Sequence, residues 1–171
     1  MSQDASFSEG ADSALYLGAF TPEDVEVIST ILQDGIFCIN DLAWLKKKRQ
    51  VAVLVNRFRW ENKSEYIEKN SAPERVKSLL IIDNVLNISS QGIDRSDSSV
   101  PLNLLNLDLK KTKKNIFLTL LLSNFGAIKF ELDGIELSIK DVTRPYKAYS
   151  CLLYTSPSPR DRTRSRMPSS A

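Results

Sequence analysis

Arg57 and Arg59 stand two residues apart at the end of an alternating run, Gln50–Trp60. If that run is a strand, both guanidinium groups lie on one face and Phe58 and Trp60 on the other. Two arginines on one face could grip a carboxylate or a phosphate through paired N–H donors. The competing reading is a structural ion pair with Glu61 or Asp94, with Trp60 closing the end of the core. Clustered charges are more often paired or solvated than functional, so this second reading carries more weight. The loop Gly92-Ile93-Asp94-Arg95-Ser96-Asp97 is a second candidate site. Gly92 permits a positive φ, and Asp94 with Asp97 could hold a hard cation. Two carboxylates without a third make a poor cage, and an Asx-turn with Asp94 paired to Arg95 or Arg59 fits better.

Two clusters could bind anions. Lys46, Lys47, Lys48 and Arg49 form one, and Lys110, Lys111, Lys113 and Lys114 the other, eight cations in all. Read functionally they are a rim for phosphate, RNA or lipid headgroups. Read plainly they solubilise strand connections and blunt sheet edges. Cys38 sits in an apolar run, Ile36 to Ile39, where an inert thiol is expected rather than a nucleophile.

Composition removes other chemistries. The chain has 171 residues and no His, which excludes Ser-His and Cys-His nucleophile pairs and imidazole metal ligands. No phosphate-binding Gly-rich loop, paired-Cys motif or nucleophile elbow occurs. No catalytic residue, cofactor or metal site is therefore assigned. No apolar run approaches the roughly 18 residues that span a bilayer, and Met1–Ser13 lacks a signal-peptide layout. A cytoplasmic location without membrane insertion is expected.

Residues Cys151–Asp161 and Ser165–Ala171 resemble translated sequencing-library adapter DNA, so 151–171 is read as a non-native, disordered tail. It carries four Arg against one acid. Setting it aside turns the formal +2 into −1 for residues 1–150. That balance, with no aromatics inside the basic clusters, argues against nucleic acid. The natural C-terminus is expected to be cut near residue 150.

The elements that must position these residues follow from patterning. Residues 1–14 are polar and acidic, an expected disordered arm, and 15–150 form one β-rich domain. Thr21 suits a helix N-cap, Pro22 the first helical position, and Phe20 with Val25 a hydrophobic staple. Val25, Ile28 and Leu32 make the apolar stripe of a helix over 22–34 that Gly35 ends. After Gly35 the period is two. About eight strands are expected, interrupted by a polar connection at Asn62–Pro73 with a helical turn at Tyr66-Ile67. Asp83-Asn84 reads as a turn between Arg75–Ile82 and Val85–Ser90. Asp133-Gly134 reads as a type I′ hairpin loop pairing Leu132 with Ile135, Phe130 with Leu137 and Ile128 with Ile139.

The fold class is thus mainly β, an antiparallel meander forming a small barrel or sandwich with one N-terminal helix. The alternative is a PH-like barrel closed by a C-terminal helix over 132–142. In a meander, strand parity puts the two basic clusters at one end and Arg59-Trp60 with the Gly92 loop at the other.

Several segments together resemble the bacterial domain-of-unknown-function family 2948. They are Gln33-Asp34, Asp41–Leu45, Asn56-Arg57-Phe58-Arg59-Trp60-Glu61, Gly92-Ile93-Asp94-Arg95, and Leu104-Leu105 before Leu107. The resemblance covers most of Leu15–Val142 and implies a single-domain bacterial cytoplasmic protein with no assigned activity. The chain departs from that pattern in the long Asn62–Pro73 connection. The functional expectation is a non-enzymatic protein-binding or scaffold domain with an unidentified protein partner. It would act through Arg57, Arg59, Trp60, Asp94 and Arg95. An anion-binding module using the basic clusters is the alternative, and a carboxylate-dependent enzyme the remotest. The sequence leaves the oligomeric state open.

Overall fold

The structure is a computed structural model that describes residues 14–70 and 72–147. The expected arm up to residue 13 and the tail at 151–171 lie outside the described residues. The chain begins with β1 (Tyr16–Ala19) and α1 (Pro22–Leu32), followed by β2 (Gly35–Phe37), β3 (Leu42–Leu45) and β4 (Gln50–Phe58). After α2 (Lys63–Lys69) come β5 (Glu74–Ile82), β6 (Val85–Gln91), β7 (Leu102–Lys111) and β8 (Ile116–Leu122). Last are β9 (Ala127–Leu132), β10 (Leu137–Asp141) and β11 (Tyr146–Lys147). Every strand pair is antiparallel, in the order β1-β10-β5-β4-β2-β7-β8-β9-β6, with β3 added on β4 and β11 on β5. The mainly antiparallel β class with an N-terminal helix holds, and the hydrogen-bonded path is not closed.

α1 starts as its residues dictate. The Thr21 hydroxyl accepts from the Asp24 N–H at 3.2 Å, and the Asp24 carboxylate accepts from the Phe20 and Thr21 N–H groups. Those bonds, Phe20 first and then Thr21, hold the Asp24 carboxyl below the usual range. Val25, Ile28 and Leu32 are buried as expected. Phe20 forms no buried staple: it is 64 % exposed, with its ring over Gly18. The helix end also differs. Asp34, not Gly35, takes the left-handed conformation, at φ 61. Gly35 is the first residue of β2, where a Cβ would lie 2.6 Å from Val55 Cγ1 and 2.9 Å from the Leu32 carbonyl oxygen. Close approach of β2 to β4 requires this glycine.

The sheet order departs from a sequential meander because two connections cross between halves of the sheet. β5 does not pair with β6. Asn84, at φ 60, redirects the chain from a strand bonded to β4 and β10 into one bonded to β9. The Asp133-Gly134 hairpin is likewise not formed, and neither residue has a positive φ. β9 pairs with β6 and β8, whereas β10 pairs with β1 and β5. The two crossings are stitched together instead: Asp133 N–H donates to the Asn84 carbonyl and Asp83 N–H to that of Glu136, both at 2.9 Å. The C-terminal helix alternative is excluded as well, since Leu137–Asp141 is a strand.

Both crossings still deliver apolar side chains to a common interior. Ile128, Phe130 and Leu132 meet Leu137 and Ile139 there, with Val51, Val53 and Val55 of β4 and the buried face of α1. A bulge between Leu104 and Asn106 resolves the off-phase leucines of β7. It turns Leu104 and Leu107 inward and Leu105 outward, and Ser29 of α1 accepts from the Leu107 N–H at 2.8 Å. α2 occupies the connection where the sequence showed one helical turn.

Gly35→Ala is expected to destabilise the protein by about 2 kcal/mol, the usual scale for overpacking a filled site. Urea unfolding checks this, and a midpoint equal to wild type would contradict the close-approach account.

Candidate functional site

β4 alternates strictly: Val51, Val53, Val55, Arg57 and Arg59 point inward and are buried. The register then fixes what Arg57 meets. Ser78 of β5 lies opposite Val55, and Asp141 of β10 lies opposite Ser78, so all three share the inner face of adjacent strands. Arg57 has no exposed surface. Its Nε donates to Ser78 Oγ at 2.8 Å, and its Nη2 to both Asp141 oxygens at 3.0 and 3.1 Å. Nη1 and Nη2 also fork onto Glu61, each at 3.0 Å, and Nη1 donates to the Phe58 carbonyl. All five N–H groups are thereby matched.

Asp141 closes the arrangement. It accepts from the Ser78 hydroxyl at 2.5 Å and from the Leu15 N–H at 3.0 Å. Burial alone would lower the Arg57 pKa, but the Glu61 bonds and charge, then those of Asp141, overcome it and raise the value. Arg59 bonds Glu74 at 2.6 Å and lies 4.0 Å from Glu61. The structural ion-pair reading of the two arginines therefore applies, with Glu61 as anticipated and with Asp141 and Glu74 in place of Asp94.

Above this network lies a cleft of about 470 Å³, lined by Phe58, Arg59, Trp60, Lys63, Ile67 and Pro73. Phe58 and Trp60 face outward with ring centroids 5.4 Å apart. The Trp60 Nε1–H donates to the Gln33 carbonyl at 3.0 Å, which ties the end of β4 to the end of α1. Ile67 of α2 is 71 % exposed. Arg75 stacks on the Phe58 ring, its guanidinium carbon 3.9 Å from the centroid.

The Gly92 loop is elsewhere. Asn40 N–H bonds the Ser98 carbonyl and the Cys38 thiol bonds that of Ser99, so this loop packs beyond the Phe37 end of β2. Trp60 is anchored beyond the opposite end, at Gln33, and the two candidate regions are not joined. Gly92 has φ 67, and Asp94 and Asp97 each close an Asx-turn on the serine two residues ahead. Ser96 hydroxyl and N–H hold the Asp94 carboxyl below its ordinary range, and Ser99 does the same for Asp97. Arg95 donates to Ser90 rather than to Asp94. Among the described residues, no group of three His, Cys, Asp or Glu could hold a metal ion.

The basic clusters do share a rim. Lys111, Ile116, Leu132 and Val85 lie in register across β7, β8, β9 and β6, and Val85 N–H bonds the Arg49 carbonyl at 2.8 Å. Arg49 pairs with Asp133 and Lys110 approaches Asp108. Burial, then the Asp41 carboxylate, pushes the Cys38 thiol up, which disfavours the thiolate.

Residue-by-residue reading missed Asp141, Ser78 and Arg75. Asp141 carried a signal, because it continues the inward phase of Leu137 and Ile139. Ser78 stands likewise between inward Val76 and Leu80. A polar residue in an apolar phase marks a buried partner.

These features define a small antiparallel-β domain with a self-neutralised arginine network beneath an apolar cleft. The family described as "Protein of unknown function (DUF2948)" matches residues 15–151, and the chain belongs to that family. No curated protein and no solved structure matches it. No helix among the described residues is long and apolar enough to cross a membrane.

Asp141→Asn is expected to cost about 3 kcal/mol in urea unfolding, because it leaves part of a buried guanidinium charge unanswered. A loss below about 1 kcal/mol would mean the pair is not sealed from water. The Asp94 midpoint in an NMR pH titration should lie below the usual carboxylate range and rise in Ser96→Ala. With its folded pKa depressed, the Asp94 turn contributes stability above the unfolded pKa and loses it as pH falls through the folded value. An Asp94 midpoint unmoved by Ser96→Ala contradicts this origin.

Proposed function

We propose that this chain is a non-catalytic protein-binding domain of the bacterial cytoplasm, and that it docks its partner in the cleft between the end of β4 and α2. One observation carries the reading. The cleft offers Phe58, Trp60 and a 71 % exposed Ile67, while the arginines beneath already bond Glu61, Glu74 and Asp141. Partly exposed aromatic rings and an exposed aliphatic side chain around a concavity can supply the apolar anchors of a protein interface. The buried network supplies the rigidity that keeps such an anchor site preformed.

A second reading, anion binding along the rim of Lys46–Arg49 and Lys110–Lys114, is supported by the hydrogen bond that joins Arg49 to the β6 end of that rim. Its weakness is that Arg49 and Lys110 already face Asp133 and Asp108.

Affinity purification with the intact chain separates the two. A co-eluting protein should be lost with Ile67→Glu and kept with Lys111→Glu. The opposite pattern, with elution falling steeply as salt rises, would favour the rim and reject the cleft.

A further inference from the structure

Arg75, on the outer face of β5, is a buried cation that the acids of the described residues leave alone. It is 5 % exposed, yet among the described residues it has no carboxylate partner. Its Nη1 donates to the Asn56 carbonyl at 2.9 Å, and its plane rests on Phe58. Arg57 and Arg59, on the inner face of the same sheet, each have carboxylates. A desolvated guanidinium is costly unless an anion completes it. An aromatic face recovers part of that cost, on the order of 1–2 kcal/mol.

The surroundings repeat the pattern. Arg75 lies on the outer face of β5, between Phe58 of β4 and Tyr146 of β11. Lys77 follows on the same face, exposed, and its carbonyl accepts from the Val142 N–H. Lys140, opposite Leu79, is the third cation. Tyr146 is 42 % exposed and Val142 is half exposed beside them. The outward positions of β5, β10 and β11 thus hold three cations, exposed apolar surface and no acid.

We infer that this outer face recognises an acidic peptide segment of a partner, with one carboxylate forked onto Arg75, a second near Lys77, and an adjacent large apolar side chain set against Tyr146 or into the Phe58–Trp60 cleft. The inference rests on the protein-binding reading and gives it a partner chemistry. A planar guanidinium held flat on a ring presents paired N–H donors at its edge, the geometry that matches a carboxylate.

The test is a selection from a random peptide library displayed against the intact chain. Enriched peptides should carry Asp or Glu beside Phe, Trp, Leu or Met. They should weaken roughly tenfold or more against Lys77→Glu, an exposed change that leaves the core intact. In ¹H–¹⁵N spectra they should shift the Arg75 Nε–H. Arg75→Lys, which keeps the charge but not the fork, should weaken them too. Enriched peptides without acids that bind Lys77→Glu as well as wild type, while shifting the Trp60 indole signal, would overturn the acidic-segment inference and leave the cleft reading standing. Recovery of no peptide at all would overturn both.

Discussion

A guanidinium sealed in the interior at the end of β4 dictates the pairing of everything around it. Arg57 can be buried only while Asp141, Ser78 and Glu61 occupy their present positions. Those partners come from β5, β10 and the segment after β4, and Asp141 also receives the N–H of Leu15, where the described chain enters β1. A one-residue slip of β10 against β5 would carry Asp141 to the outer face and leave Arg57 with a single, half-exposed carboxylate. Apolar rows tolerate some imprecision in registry, because Leu80 packs against Ile139 or a near neighbour at modest cost. Removing one partner from a buried ion pair costs several kcal/mol. The polar end of the core therefore specifies the register that its apolar middle stabilises.

That division explains which parts of the fold could be read from residues in order. The start of α1 was legible in its N-cap Thr21 and in Pro22, which act within the first turn, though not in the return bonds of Asp24 or in the exposed Phe20. Strand existence was legible from alternation. Strand partnership was not. Asp133-Gly134 has the local chemistry of a hairpin, but the Asp133 N–H finds the Asn84 carbonyl, nearly fifty residues earlier in the chain. The tertiary bond outcompetes the local turn because the same crossing lets Leu132 and Leu137 enter one interior from different parts of the sheet. Gly35 illustrates the same limit. Its type marked a boundary, but the cause is Val55 pressing against it, and that contact lies outside any local window.

The candidate site divides along similar lines. Pairing of Arg57 with Glu61 spans four residues, so it could be anticipated. Pairing with Asp141 spans 84. The Asx-turn at Asp94 was legible because it bonds a serine two residues away, whereas the matching turn at Asp97 was not read and the arginine pairing expected for Asp94 does not form. Parity could not show that the Gly92 loop and Trp60 extend past opposite ends of β2, because β2 is a short strand inserted between β4 and β7. The family resemblance identified the chain without adding chemistry, since its most specific run, Asn56–Glu61, is largely the structural network itself.

β5 shows why the two faces of one sheet serve different ends. Arg75, Val76, Lys77 and Ser78 alternate outward and inward in four consecutive residues. Inward, Ser78 completes a network in which every donor of Arg57 is matched, and a saturated network has nothing left to offer a ligand. Outward, Arg75 and Lys77 keep donors in hand beside Phe58, Tyr146 and Val142. The two faces are coupled through the backbone: Arg75 bonds the Asn56 carbonyl, one residue before Arg57, so the strand clamped from inside also fixes the outer guanidinium. The recognition proposed for the outer face would gain its preorganisation from the charges paired on the inner one.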